Sequence, residues 1–135
     1  MLIKNTLTTV ERFHVKIAVI ILGHGSRCKG ADTAVKRIAT EIEKIGGYTT
    51  VQYAFLQYMQ PTADEALERC IQQKVGKIVI VPFFLQPGTH VRKGIPDFVI
   101  QARKHYPNVD IVVTKSIGSH LLLAKIVFDL VNEKV

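Results

Sequence analysis

Four Val- and Ile-rich runs, Lys16–Leu22, Thr50–Leu56, Lys77–Phe84 and Val109–Lys115, alternate with four segments of helical periodicity. Parallel strands cannot be joined by tight turns, and the long crossovers they need become helices, so this alternation predicts a mostly parallel sheet covered by helices. Few polar residues interrupt the runs, as strands buried on both faces require. A chain of 135 residues that is 47% apolar supplies one such core and no second. The expected fold is therefore α/β: a single doubly wound domain over residues 16–135, with a four-stranded, mainly parallel sheet and helices on both faces. Residues 1–15 read as an N-terminal arm, lacking the apolar stretch and small-residue cleavage site of a signal peptide.

The helical segments carry their own punctuation. Val35, Ile38, Ile42 and Ile45 recur at helical spacing until Gly46-Gly47 ends the pattern. Thr62-Ala63-Asp64-Glu65 after Pro61 matches a capping box, opening a helix with Ala63, Leu67, Cys70 and Ile71 on one side. Pro96 reads as the first-turn proline of a third helix, closed by Tyr106-Pro107. Ser119 is the expected cap of the last helix, whose Leu122, Ile126 and Leu130 form an apolar stripe.

In the common doubly wound order the first and third strands lie side by side, and ligands bind at the carboxyl ends of strands at that switch point. His24 follows the first strand in Gly23-His24-Gly25-Ser26-Arg27, and His90 follows the third in Pro87-Gly88-Thr89-His90. Imidazole titrates near neutral pH and is the commonest ligand for late first-row metals, so two histidines at one lip predict a site for a metal or a proton. His120 could border the same crevice, whereas His14 and His105 read as surface residues. Cys28 and Cys70 form no CxxC pair and no zinc spacing; Cys70 falls on an apolar helix face, and Cys28 reads as a bystander beside the first histidine.

Eighteen basic against eleven acidic residues give a formal charge of +7, which favours an anionic partner. The basic residues are scattered, without the aromatic interleaving of a nucleic-acid module, so no nucleic-acid partner is expected. The longest apolar run, Ile17–Leu22, is too short to span a bilayer; no membrane association is expected and a cytoplasmic setting is. Gly23-His24-Gly25 is neither a dinucleotide fingerprint nor a Walker loop, which argues against a nucleotide cofactor. Nor is Ser26 the centre of a Gly-x-Ser-x-Gly elbow.

Three stretches carry a family likeness. Gly23-His24-Gly25-Ser26-Arg27, Phe55-Leu56-Gln57 followed by Pro61, and Pro82-Phe83-Phe84-Leu85-Gln86-Pro87-Gly88-Thr89-His90-Val91 with Ile95-Pro96 resemble the small CbiX-type sirohydrochlorin chelatases. Ser116-Ile117-Gly118-Ser119-His120 is similar to that family's last-strand exit. The resemblance implies ATP-independent insertion of Co2+, Ni2+ or Fe2+ into sirohydrochlorin, a tetrapyrrole with eight carboxylates, by a domain that pairs as a homodimer. It also implies that His24 and His90 are the metal-binding and proton-accepting pair. Ser26, Arg27, Gln57, Phe84, Leu85, Gly88, Thr89, Arg92 and Lys93 would then meet the substrate: the cations on its carboxylates, and Phe84, Leu85 and Phe55 against its apolar face.

Two positions depart from the family pattern. Gln57 stands where glutamate is common, and it cannot ionise; Gly94 stands where aspartate is common, at an expected helix N-cap. Gln57 keeps open a rival reading, a non-catalytic metal- or tetrapyrrole-binding relative. A phosphatase with a histidine nucleophile is a further alternative, opposed by Gly23 where such enzymes place arginine.

Overall fold

The structure is a computed structural model that describes residues 15–86 and 88–135, the side chains of Thr89 and His90 excepted. Residues 1–14 of the expected arm, with His14, and Pro87 of the third motif lie outside the described residues. The four apolar runs form β1 (Ile17–Gly23), β2 (Thr50–Phe55), β3 (Lys77–Pro82) and β4 (Asp110–Val113). They pair in the order β2-β1-β3-β4, every pair parallel. The first and third strands are therefore neighbours, as the doubly wound pattern requires, with Val19 registered against Val51 on one side and Val79 on the other.

The helix α1 (Thr33–Gly46) lies on one face of the sheet, burying Val35 and Ala39 against Val19, Ile21, Val51 and Phe55. It ends where Gly47 turns left-handed at φ 64°, a conformation glycine adopts without a Cβ penalty. On the other face lie α2 (Ala63–Gln72) and α3 (Thr89–His105), whose Leu67, Cys70, Val91, Ile95 and Val99 close over Ala18, Ile20, Leu22, Ile78 and Ile80. The expected capping box opens α2: the Glu65 amide donates to Thr62 Oγ1 at 3.2 Å, and the Thr62 amide to Glu65 Oε2 at 3.4 Å. Arg103 fastens α3 to the sheet edge, its Nε and Nη2 donating to the Ile111 carbonyl at 2.9 and 2.7 Å.

Two expectations about helix starts are corrected. Pro96 does not open a helix; it lies inside α3, which begins seven residues earlier at Thr89 with Gly88 as its cap. The buried positions Val91, Ile95, Val99 and Ala102 keep helical period straight through the proline. Burial of that stripe outweighs one absent amide donor on the solvent side. Gly94 is consequently an exposed helix-interior residue and not an N-cap. At the last helix, α4 (Leu122–Asn132), Ser119 belongs to a preceding 3-10 turn, Ile117–Ser119, and the capping acceptor is His120 Nδ1, which receives the Leu122 amide at 3.2 Å. No residue of α4 is buried, and the expected stripe faces solvent, Ile126 being 51% and Leu130 56% exposed.

Candidate functional site

The sheet ladder runs past the ends of the strands and carries His24 with it. The Leu56 amide donates to the Gly23 carbonyl at 3.0 Å and the Gln57 amide to the His24 carbonyl at 3.2 Å, so the exits of β1 and β2 are stitched together. On the other side the Phe83 amide donates to the Leu22 carbonyl at 2.7 Å. The His24 ring then meets the Phe84 ring, with centroids 5.2 Å apart and planes tilted by 54°. His24 therefore sits between the exits of β2 and β3, at the switch point.

The glycines beside it are required by this closeness. Gly25 has φ 86°, and a Cβ there would lie 1.8 Å from the Gln57 carbonyl oxygen. No side chain fits without moving the β2 exit. A Cβ on Gly23 would press on Val35 and Phe55 at 3.1 and 3.3 Å. Beyond them Ser26 Oγ accepts the Cys28 amide at 3.0 Å, so this hydroxyl shapes the loop and retains its proton for a ligand.

Around the histidine the lip is open and mixed in character. Gln57 is exposed, Phe84 half-buried and Leu85 65% exposed, which leaves Phe84 and Leu85 able to meet a flat ligand. Phe55 cannot join them: it is 2% exposed, packed beneath Gly23 as part of the α1-side core, and its expected place in a ligand wall is corrected. Arg27, Arg92 and Lys93 are exposed, and no ion pair among the described residues engages any of them. The Arg27 guanidinium lies 4.6 Å from the centre of the Tyr58 ring. Tyr58 is a lip residue that sequence reasoning missed; it adopts φ 64°, uncommon for an aromatic residue, and is 59% exposed. Its place directly after Gln57 at a strand exit was the available signal.

His90 follows β3 as expected but already lies in the first turn of α3, behind the Gly88 cap; its side chain and that of Thr89 lie outside the described residues. The same first turn carries Arg92. His120 spends its Nδ1 on the α4 amide, and His105 packs edgewise on Tyr106 at 5.0 Å, far down α3 from the lip. Among the described residues no three His, Cys, Asp or Glu side chains gather as a ligand set. Cys70 is buried, its thiol pushed up to about 12 by desolvation, which makes it a packing residue; Cys28 is exposed.

The fold is thus an all-parallel α/β sheet with His24 at its switch point, the place where open α/β sheets commonly bind ligands. Residues 18–134 match the CbiX family, and the chain belongs to that family. It is 31% identical to the sirohydrochlorin cobaltochelatase of Methanopyrus kandleri, the match covering 87% of this chain and 96% of that protein. A solved CbiX protein of Marinobacter aquaeolei VT8 superimposes with a TM-score of 0.75 at 26% identity, over 87% of this chain and 93% of that one. The sirohydrochlorin chelatase SirB of Bacillus subtilis subspecies spizizenii, solved in complex with cobalt, gives a TM-score of 0.79 at 27% identity. That superposition covers 88% of this chain and 51% of SirB, so the chain spans about half the length of SirB.

Proposed function

We propose that this CbiX-family chain inserts a divalent metal ion into sirohydrochlorin, without nucleotide, at the lip formed by the exits of β1, β2 and β3. The observation that carries the reading is the position of His24 between Gln57 and Phe84 at the switch point. Metallation removes two pyrrole N–H protons while a divalent ion sheds water and enters the ring. A neutral imidazole can hold the ion or take a proton, and general-base help of this kind is worth about 10²–10⁴-fold in rate. His24 and His90 are the two groups assigned to these tasks. Two nitrogens with water in the remaining positions hold an ion more loosely than a closed four-ligand site, which lets it pass to the four ring nitrogens.

The substrate's carboxylates suit the exposed cations Arg27, Arg92 and Lys93, and its flat face suits Phe84 and Leu85. Ser26, Gln57, Gly88 and Thr89 complete the set of substrate contacts in this reading. Cobalt and iron are the metals named for relatives, a sirohydrochlorin ferrochelatase in Bacillus subtilis and a sirohydrochlorin cobaltochelatase in Methanopyrus kandleri; nickel is a third ion of suitable softness. A second copy of the chain is the partner that would enclose so large a macrocycle, since one lip is open to solvent. No helix among the described residues is long and apolar enough to cross a membrane, and an exposed free Cys28 suits a reducing cytoplasm.

Gln57 favours one second reading, a relative that binds the metal or tetrapyrrole without chemistry, because the lip then lacks a carboxylate beside His24. Insertion followed by absorbance, with wild type and His24→Ala, separates the two. Protein-dependent metallation lost in the variant supports the chelatase, and binding without metallation in either protein supports the rival.

A further inference from the structure

The loop that leaves β2 is short and tied down at several points. The Phe55 amide donates to the Pro61 carbonyl at 3.0 Å, closing residues 56–61 into one compact turn, and the Gln57 amide fastens that turn to the His24 carbonyl. Inside it the side chains are divided between the two cores. Leu56 packs on the α2 and α3 side of the sheet, and Met59 packs on the α1 side. Gln57 and Tyr58 have to carry the chain from one side to the other, and both are exposed.

The crossing is made at Tyr58. The Met59 amide donates to the Gln57 carbonyl at 2.8 Å, and the residue between them has φ 64°. A hydrogen bond from residue i+2 back to residue i over a positive φ is the rare and strained form of γ-turn. Glycine takes such a backbone freely, yet the position holds a tyrosine that joins neither core and is 59% exposed. Burial does not account for the residue, and a strained backbone beside a ligand site points to a use there.

That use is the contact with Arg27, whose guanidinium carbon lies 4.6 Å from the centre of the Tyr58 ring. The loops carrying the two residues press on each other: Gly25 is two residues before Arg27, and a Cβ on it would fall 1.8 Å from the carbonyl oxygen of Gln57, the residue before Tyr58. The pairing is therefore set by backbone geometry. A contact through the π face of the ring occupies no oxygen acceptor, so the N–H edges of the guanidinium stay available to fork a carboxylate. It also restricts a long side chain that would otherwise lose its rotamer freedom only on binding.

We infer that Tyr58 is a positioning residue for substrate capture, holding the Arg27 guanidinium over the lip so that it takes one carboxylate of the macrocycle in bidentate fashion. The role rests on the tetrapyrrole reading of the lip and adds which side chain readies the cation. Tyr58 acts through Arg27 and not on the substrate itself.

The test is an anaerobic titration of metal-free sirohydrochlorin into the full-length protein, followed by absorbance, for Tyr58→Leu, Arg27→Gln, the double variant and Tyr58→Phe. Leucine keeps an apolar side chain on the positive φ, and phenylalanine keeps the π face as well. Tyr58→Leu should weaken binding about two- to fivefold, the size of an exposed cation–π contact, and should cost nothing further once Arg27 is glutamine. Tyr58→Phe should bind as the wild type does. Full affinity in Tyr58→Leu, or an equal loss in Tyr58→Phe, overturns the role. So does an undiminished effect of Tyr58→Leu in the Arg27→Gln background, which would put the ring on the substrate. A wild type that binds no sirohydrochlorin overturns the role and the tetrapyrrole reading together. Metal insertion, measured separately on the wild type, decides the chelatase reading: coupled binding without insertion keeps the positioning role and removes the enzyme.

Discussion

His24 and Phe84, sixty residues apart in sequence, place their rings 5.2 Å apart at the carboxyl edge of the sheet, with planes inclined at 54°. The contact fixes one face of the imidazole against an apolar ring and leaves the residue only half-buried, so a metal or a pyrrole proton can reach it. His24→Ala should lower metal insertion by about 10²-fold or more while far-ultraviolet circular dichroism stays unchanged. Insertion by the variant at the wild-type rate would remove His24 from the chemistry.

Gln57→Glu should accelerate insertion by about tenfold, the equivalent of ~1.4 kcal/mol of added attraction for the entering cation. The Gln57 amide donates to the His24 carbonyl, so the new carboxylate enters beside the imidazole without rebuilding the loop. The gain should grow as pH rises through the carboxylate's titration, because only the ionised form attracts the ion. Equal rates for both proteins at every pH would show that the carboxylate is dispensable here.

The two glycines Gly25 and Gly94 should respond in opposite directions to alanine. At Gly25 the φ of 86° and the 1.8 Å approach to the Gln57 oxygen predict a loss of about 1–3 kcal/mol in urea unfolding. At Gly94, an exposed helical position with open space where a Cβ would go, alanine should stabilise by about 0.5–1 kcal/mol. A stabilising Gly25→Ala or a strongly destabilising Gly94→Ala would contradict these backbone assignments.

Most of the scaffold was legible because it rests on local patterns. Alternating apolar runs and helices gave a parallel sheet, and Thr62 with Glu65 gave a capping box that is present as read. What escaped depends on long-range packing. The Val91–Ile95–Val99 stripe carries α3 through Pro96, so a local helix-start signal was overruled by burial and Gly94 lost its capping role. Phe55 looked available at a strand exit, but its side chain turns into the α1-side core under Gly23. Tyr58 reached the lip through a left-handed backbone that nothing in its residue type favours, and the solvent-facing stripe of α4 reads in sequence like any core-facing helix.

The two thiols should differ sharply in native alkylation. Cys28 is exposed and should react with iodoacetamide at pH 8, whereas Cys70 is buried, with its ionisation pushed up to about 12, and should react only after unfolding. Mass spectrometry finding Cys70 labelled in the folded protein would contradict the packing of α2 on the sheet.

Substrate capture should weaken with salt, since the proposed contacts of the exposed Arg27, Arg92 and Lys93 with carboxylates would act through solvent. Association measured between ~10 mM and ~150 mM ionic strength, where the Debye length falls from roughly 30 to 8 Å, should slow severalfold. Indifference to salt over that range would count against a cationic rim.

Catalysis of metal insertion is read out by anaerobic absorbance spectroscopy of sirohydrochlorin mixed with Co2+, Ni2+ or Fe2+, with and without the wild-type protein. The protein should convert the free tetrapyrrole spectrum to the metallated one well above the spontaneous rate for at least one ion, with no ATP present. Identical rates with and without protein for all three ions, despite binding of the tetrapyrrole, would contradict it and leave a binding protein in place of an enzyme.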